Sequence, residues 1–166
     1  MHPHLQQALD AIEQATAGLT VEHITRPVPG KWSVAEILDH LRLAFAFSAQ
    51  ALERVVESGP PKVHRPRAFQ WLARTLVIDV GYFPRVRAPE SATPDGSVPP
   101  ERILDATREA LVAVDAALTT AAVRLGEDTL VLKHPYFGGL SPRQWRKFHW
   151  RHTVHHMEQV RQRVRA

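Results

Sequence analysis

Apolar positions recur at helical spacing in four stretches of this chain. Leu5, Leu9 and Ile12 stand at i, i+4 and i+7, which predicts a first helix from about His4 to Gly18. The following segment ITRPVPGK holds two prolines and a glycine and reads as a loop. Ser33 followed by Glu36 is a capping box, with the serine oxygen accepting a backbone N–H and the glutamate reaching back to the cap. The second helix starts there and runs to about Ser58, where Gly59-Pro60-Pro61 stops it. Ile37, Leu41, Ala44, Phe45, Ser48 and Leu52 form its buried side, and Asp39, Arg42, Gln50, Glu53 and Glu57 its wet side.

Residues 59–100 are too long for a plain helix-hairpin loop. They contain one short apolar piece, AFQWLARTLVIDV, and then a proline-rich stretch. A third helix follows Pro99-Pro100 and ends near Gly126, with Ile103, Ala106, Ala110, Val114 and Ala117 as its apolar stripe. The segment DTLVLKHPYFGGL reads as a loop with a short extended piece. Ser141-Pro142 then opens a fourth helix, serine as N-cap and proline in the first turn, running to about Val164. The pattern predicts one all-α domain over residues 1–166, a four-helix bundle with a long crossover between its second and third helices.

Composition agrees with a packed domain: 44% of residues are hydrophobic and 23% charged. No apolar run is long enough for a membrane span, and the N-terminus lacks the pattern of a secretory signal, so a cytoplasmic location is expected. With no cysteine, disulfides, thiolate ligands and cysteine nucleophiles are excluded, and any metal must take nitrogen or oxygen ligands. The net charge is +4, and much of the excess lies in the fourth helix, from Arg143 to Arg165. Without aromatic residues interleaved for stacking, this reads as a solvated face rather than a nucleic-acid surface.

The ten histidines are the compositional outlier. On the fourth helix Trp145, Phe148, His149, His152, His156 and Gln159 share one face, while Trp150, Val154 and Met157 form a second apolar face. His152 and His156 are i, i+4 neighbours and can chelate one ion. An isolated H-x-x-x-H pair is also what two hydrogen-bonded core histidines look like, and spacing leaves both readings open. His40 lies on the second helix beside its buried stripe, next to Leu43 and Phe47, where histidine is an unusual choice. It would complete a three-nitrogen site, a pattern that leaves room for a further ligand.

The segment PGKWSVAEILDHLRLAF resembles the start of the second helix in the DinB/YfiT-like metalloprotein superfamily. HPYFGGLSPRQWRKFHWRHTVHHMEQV resembles the last helix of that superfamily and its lead-in. The resemblance covers about residues 29–47 and 134–160, nearest to the DinB-like branch of uncharacterised bacterial proteins. It implies a four-helix bundle in which one histidine of the second helix joins an H-x-x-x-H pair of the fourth, here His40, His152 and His156. It further implies a divalent ion, zinc or nickel foremost with iron and manganese behind them. It also implies a small-molecule substrate with a low-molecular-weight thiol as a candidate cosubstrate, and a homodimer. Relatives in that superfamily include thiol-dependent S-transferases and a maleylpyruvate isomerase. Activity as a metal-dependent transferase or hydrolase is the expectation, with a non-catalytic, stress-associated bundle as the alternative. Around the triad, Glu36 is assigned to capping. His149 and Gln159 are left between pocket wall and simple packing. His134 is expected to serve its turn rather than the mouth of the site, and His155 to face solvent or an interface.

Overall fold

The computed structural model describes residues 1–59, 68–84 and 88–165. The expected stop at Pro60-Pro61 and the histidine His64 lie outside the described residues. The chain is mostly helical. Its long helices are α1 (Pro3–Thr16), α3 (Val34–Ser58), α5 (Pro100–Leu125) and α6 (Pro142–Arg165). Between α1 and α3 stands the short helix α2 (Val21–Thr25), which the chain pattern did not predict. Thr20 caps it through the backbone N–H of His23, and the His23 ring reaches back to the cap N–H.

The apolar piece of the crossover forms α4 (Ala68–Arg74) and continues as a π-helical turn, Thr75–Val80. A further turn, Glu90–Ala92, precedes α5. The extended piece before α6 is a hairpin of β1 (Leu132–His134) and β2 (Gly138–Leu140), antiparallel with Lys133 opposite Gly139.

α3 packs most extensively on α5, and α1 on α6. Leu38, Leu41, Phe45, Leu52, Leu111, Leu118, Leu140 and Met157 are fully buried between these layers. Three expected faces shift. The buried stripe of α5 runs through Ile103, Thr107, Leu111, Val114 and Leu118, leaving Ala106 and Ala110 half-buried. Thr107 fits that position because its hydroxyl donates back to the Ile103 carbonyl, 2.7 Å away. Asp39, expected on the wet side of α3, is buried and bonded. On α6, Met157 is buried, Trp150 stacks on His4 of α1 at 5.0 Å, and Val154 is exposed. The second apolar face of α6 is therefore largely covered by α1.

The basic residues of α6 are mostly engaged within the chain. Arg146 is buried against Glu127 (2.7 Å), Arg143 pairs with Asp128 (2.9 Å), and Lys147 with Asp79 (2.7 Å). No helix among the described residues is long and apolar enough to cross a membrane.

Leu111 has no exposed surface, whereas Val123 on the same helix is 83% exposed. Leu111→Ala is expected to lower unfolding stability by about 2–5 kcal/mol. Val123→Ala is expected to change it by no more than about 0.5 kcal/mol. Urea denaturation of the two variants checks the contrast.

Candidate metal centre

α3 and α6 run antiparallel across the site. The Trp32 carbonyl at the head of α3 meets Arg163 near the end of α6. His40 meets His152 and His156, and Phe45 meets His149. The capping box sets the phase of α3: Ser33 Oγ accepts from the Glu36 N–H at 3.2 Å, and Glu36 accepts from the Ser33 N–H at 2.7 Å. Glu36 is thereby occupied with the cap, as expected.

His40, His152 and His156 come together with their ring nitrogens converging. His152 Nε2 lies 3.2 Å from His40 Nε2 and 3.0 Å from His156 Nε2. Nitrogens held about 2.0–2.1 Å from one ion, at angles between octahedral and tetrahedral, stand about 2.9–3.4 Å apart. The observed separations fall inside that range. Among the described residues no carboxylate belongs to the cluster.

The protons sit on the far side. His40 Nδ1–H donates to the Ala92 carbonyl at 2.6 Å, an acceptor that cannot donate, so His40 Nε2 carries a bare lone pair. His156 Nδ1 lies 2.9 Å from Gln159 Oε1, and the amide nitrogen of Gln159 lies 3.1 Å from His155 Nε2. In that orientation Gln159 accepts from His156 and donates to His155, which leaves His156 Nε2 as a second lone pair. His152 Nε2 thus faces two acceptors at once, and one ring proton cannot serve both. Its Nδ1 is buried without a hydrogen-bond partner among the described residues. A cation between the three Nε2 atoms resolves the conflict.

Burial keeps the rings neutral. His40 and His156 are only 4% and 7% exposed. Desolvation lowers the pKa of His40, with the Ala92 bond opposing it. His156 is lowered to about 3 by desolvation first and by His40 second. His152 is lowered well below the ordinary value by desolvation and then by His156 and His40. Burial thus favours the neutral form of all three rings, the form that binds a metal ion.

Several residues that support the site had no signal in the chain pattern. Asp39 Oδ2 accepts from the backbone N–H groups of Asp95 (3.1 Å) and Gly96 (3.3 Å), while its Oδ1 pairs with Arg42 at 2.7 Å. This carboxylate ties the crossover to α3 one residue from His40 and so holds the Ala92 carbonyl in place. Trp32 lies 5.1 Å from the His40 ring, and Phe83 of the crossover stacks on His155 at 4.8 Å. His155 is thus a wall of the site, half-buried and bonded to Gln159, rather than a solvent-facing residue. His134 does both things weighed for it: its Nδ1 accepts from the Tyr136 N–H at 3.2 Å in the turn, and its ring borders the cavity.

That cavity has a volume of about 690 Å³ and runs along α6 over the histidine cluster. It lies within the range of small-molecule sites. His149, which also borders it, has no exposed surface, and neither ring nitrogen has a hydrogen-bond partner among the described residues. Desolvation lowers its pKa to about 3, with His134 adding to the effect.

Two outcomes are expected. Asp39→Ala should weaken binding of zinc by about 10–100-fold, because the carbonyl that orients His40 loses its support. Calorimetric titration, alongside an unchanged helical dichroism signal, checks this. His149 binds a proton in the unfolded chain near pH 6.5 but in the fold only near pH 3, so acid favours unfolding across that window. Stability of the metal-free protein should fall as pH drops below 6.5, with His149 contributing a slope approaching about 1.4 kcal/mol per pH unit. His149→Phe should remove that share of the slope and leave the shares of His134, His152 and His156, as read from urea midpoints at successive pH values.

The chain is 30% identical over 152 residues to the uncharacterised protein YuaE of Bacillus subtilis (strain 168), an alignment spanning 87% of this chain and 85% of that one. No solved structure gives a significant match. A family model described as "Protein of unknown function (DUF1569)" matches residues 3–163, nearly the whole chain with the His40, His152 and His156 cluster inside it, and the protein belongs to that family.

Proposed function

We propose that this protein is a divalent-metal-dependent enzyme, a transferase of the thiol S-transferase type or a hydrolase, acting on a small molecule at the three-histidine centre. The observation that carries this reading is the convergence of three Nε2 atoms, two of them stripped of protons by Ala92 and Gln159. A bound divalent ion supplies Lewis acidity, which lowers the pKa of a water or thiol ligand. The chain's own contribution is to hold three neutral nitrogens on one side and leave the other side to the cavity. Trp32 and Phe83 flank the triad and exclude water around it. Zinc and nickel suit three imidazoles best, with iron and manganese behind them.

The resemblance of residues 29–47 and 134–160 to the DinB-like superfamily supports the same reading. In this proposal α1, α3, α5 and α6 are the four helices of a DinB-like bundle, and α4 with the π-helical turn belongs to its long crossover. A homodimer is part of the proposal. What favours it is the run of exposed apolar side chains on the crossover, Phe69, Trp71, Leu72, Val80 and Tyr82. Light scattering on a sizing column gives the oligomeric state directly.

Purified without chelator or affinity-tag metal, the protein should carry, or take up on titration, about one equivalent of zinc or nickel per chain. Occupancy below about a tenth of an equivalent, with no uptake, sinks the proposal. His40→Ala, His152→Ala and His156→Ala should each weaken binding, by about 10-fold or more. Metal lost while the helical signal is kept separates a functional ion from a structural one, whose binding energy is folding energy. The non-catalytic bundle predicts the opposite, with metal removal unfolding the chain, or no metal at all.

A further inference from the structure

We infer that the cavity over the histidine cluster takes a small carboxylate with an apolar body, and that Arg163 is the residue that holds its carboxylate. This inference rests on the metal reading above, since it places the other end of the molecule at the triad.

Arg163 borders the cavity and is half-buried. Its Nε–H donates to the Trp32 carbonyl at 3.0 Å, which fixes the plane of the guanidinium. Its two terminal nitrogens have no hydrogen-bond or ion-pair partner among the described residues, whereas Arg42, Arg143 and Arg146 all meet carboxylates. A guanidinium anchored at Nε with both ends free is a preformed fork for a carboxylate. Lys31, beside Trp32, borders the same end of the cavity and makes no ion pair among the described residues.

The charge of the walls points the same way. Lys31, Lys133 and Arg163 line the cavity, against a single acid, Glu158, which already pairs with Arg161 at 3.6 Å. Between the charged end and the triad Trp32 offers an apolar face, 5.1 Å from His40, while Gln159 and Gln162 of α6 add amide groups to the wall. His156 and Arg163 are seven positions apart on α6, hence on nearly the same face, about 10 Å apart along the axis. A molecule that spans them needs an anionic head, an apolar middle and a group that seeks the metal.

Full-length protein loaded with cobalt(II) provides the test, because a thiolate that reaches cobalt is seen by its charge-transfer absorption. The probes are linear ω-mercapto carboxylates of stepwise increasing length, each paired with the mercapto alcohol of equal length. At the best-fitting length the acid should bind about tenfold or more tightly than the alcohol. R163Q should abolish that margin while leaving alcohol affinity and helical signal unchanged, and R163K, which keeps the charge but loses the fork, should retain only part of it. If R163Q loses its helical signal, K31Q carries the test, with a loss of about two- to fivefold for the acid alone. Acid and alcohol binding equally at every length, or a margin that survives R163Q, overturns the inference. A margin removed by K133Q and not by R163Q or K31Q also overturns it, by placing the carboxylate at the other end. Failure of the wild-type chain to take up cobalt sinks the metal reading and this one with it. Cobalt uptake without an acid preference sinks this one alone.

Discussion

Three imidazole rings can turn three bare nitrogens toward one cation only if each is neutral and each holds its proton on the far side of the ring. That constraint organises much of the structure. Desolvation between α3 and α6 provides the neutrality, since it penalises the charged form of every ring in the cluster. The far-side protons of His40 and His156 have acceptors, and these come from two different places. His156 finds its acceptor on its own helix, one turn on, in Gln159. His40 has to find one on another element, the Ala92 carbonyl of the turn before α5.

The second requirement explains why the crossover is tied down where it is. A backbone carbonyl orients a histidine only if the backbone itself is held. The buried Asp39 carboxylate does this with two backbone N–H groups and with Arg42 beside it. Lys147 and Arg151 of α6 hold the π-helical turn through Asp79. Gly81 ends that turn at φ 83°, a left-handed conformation that favours glycine, and a Cβ there would meet the Arg151 side chain at 3.4 Å. From Gly81 the chain leads on to Phe83 against His152 and His155. The long connection therefore walls the cavity as well as joining two helices.

Much of the helical frame was legible along the chain, because its signals are local. The capping box at Ser33 and the serine–proline start at residue 142 marked α3 and α6 within a residue. The residues sharing one face of α6, from Trp145 to Gln159, also line the cavity as a group, since helical spacing alone sets which side chains share a face. Other faces were misread for a reason that can be named. Asp39 looked wet because carboxylates avoid burial without partners, and the backbone N–H groups that meet it lie 56 and 57 positions away. His155 stood off the main face of its own helix, yet Phe83 packs on it from a distant segment.

The sequence by itself determined closely where the long helices begin and end, and that His152 and His156 stand one turn apart on one face, because caps and i, i+4 geometry act within a turn or two of helix. It named His40 more through resemblance than through spacing. Only the tertiary structure decided that His40 reaches that pair, which nitrogen of His40 and of His156 is bare, and what walls the space above them. Those depend on the antiparallel docking of α3 on α6 and on the path of the crossover. Both are set by contacts between residues 50 or more positions apart, such as His40 with Ala92 and Trp32 with Arg163, which no local pattern records.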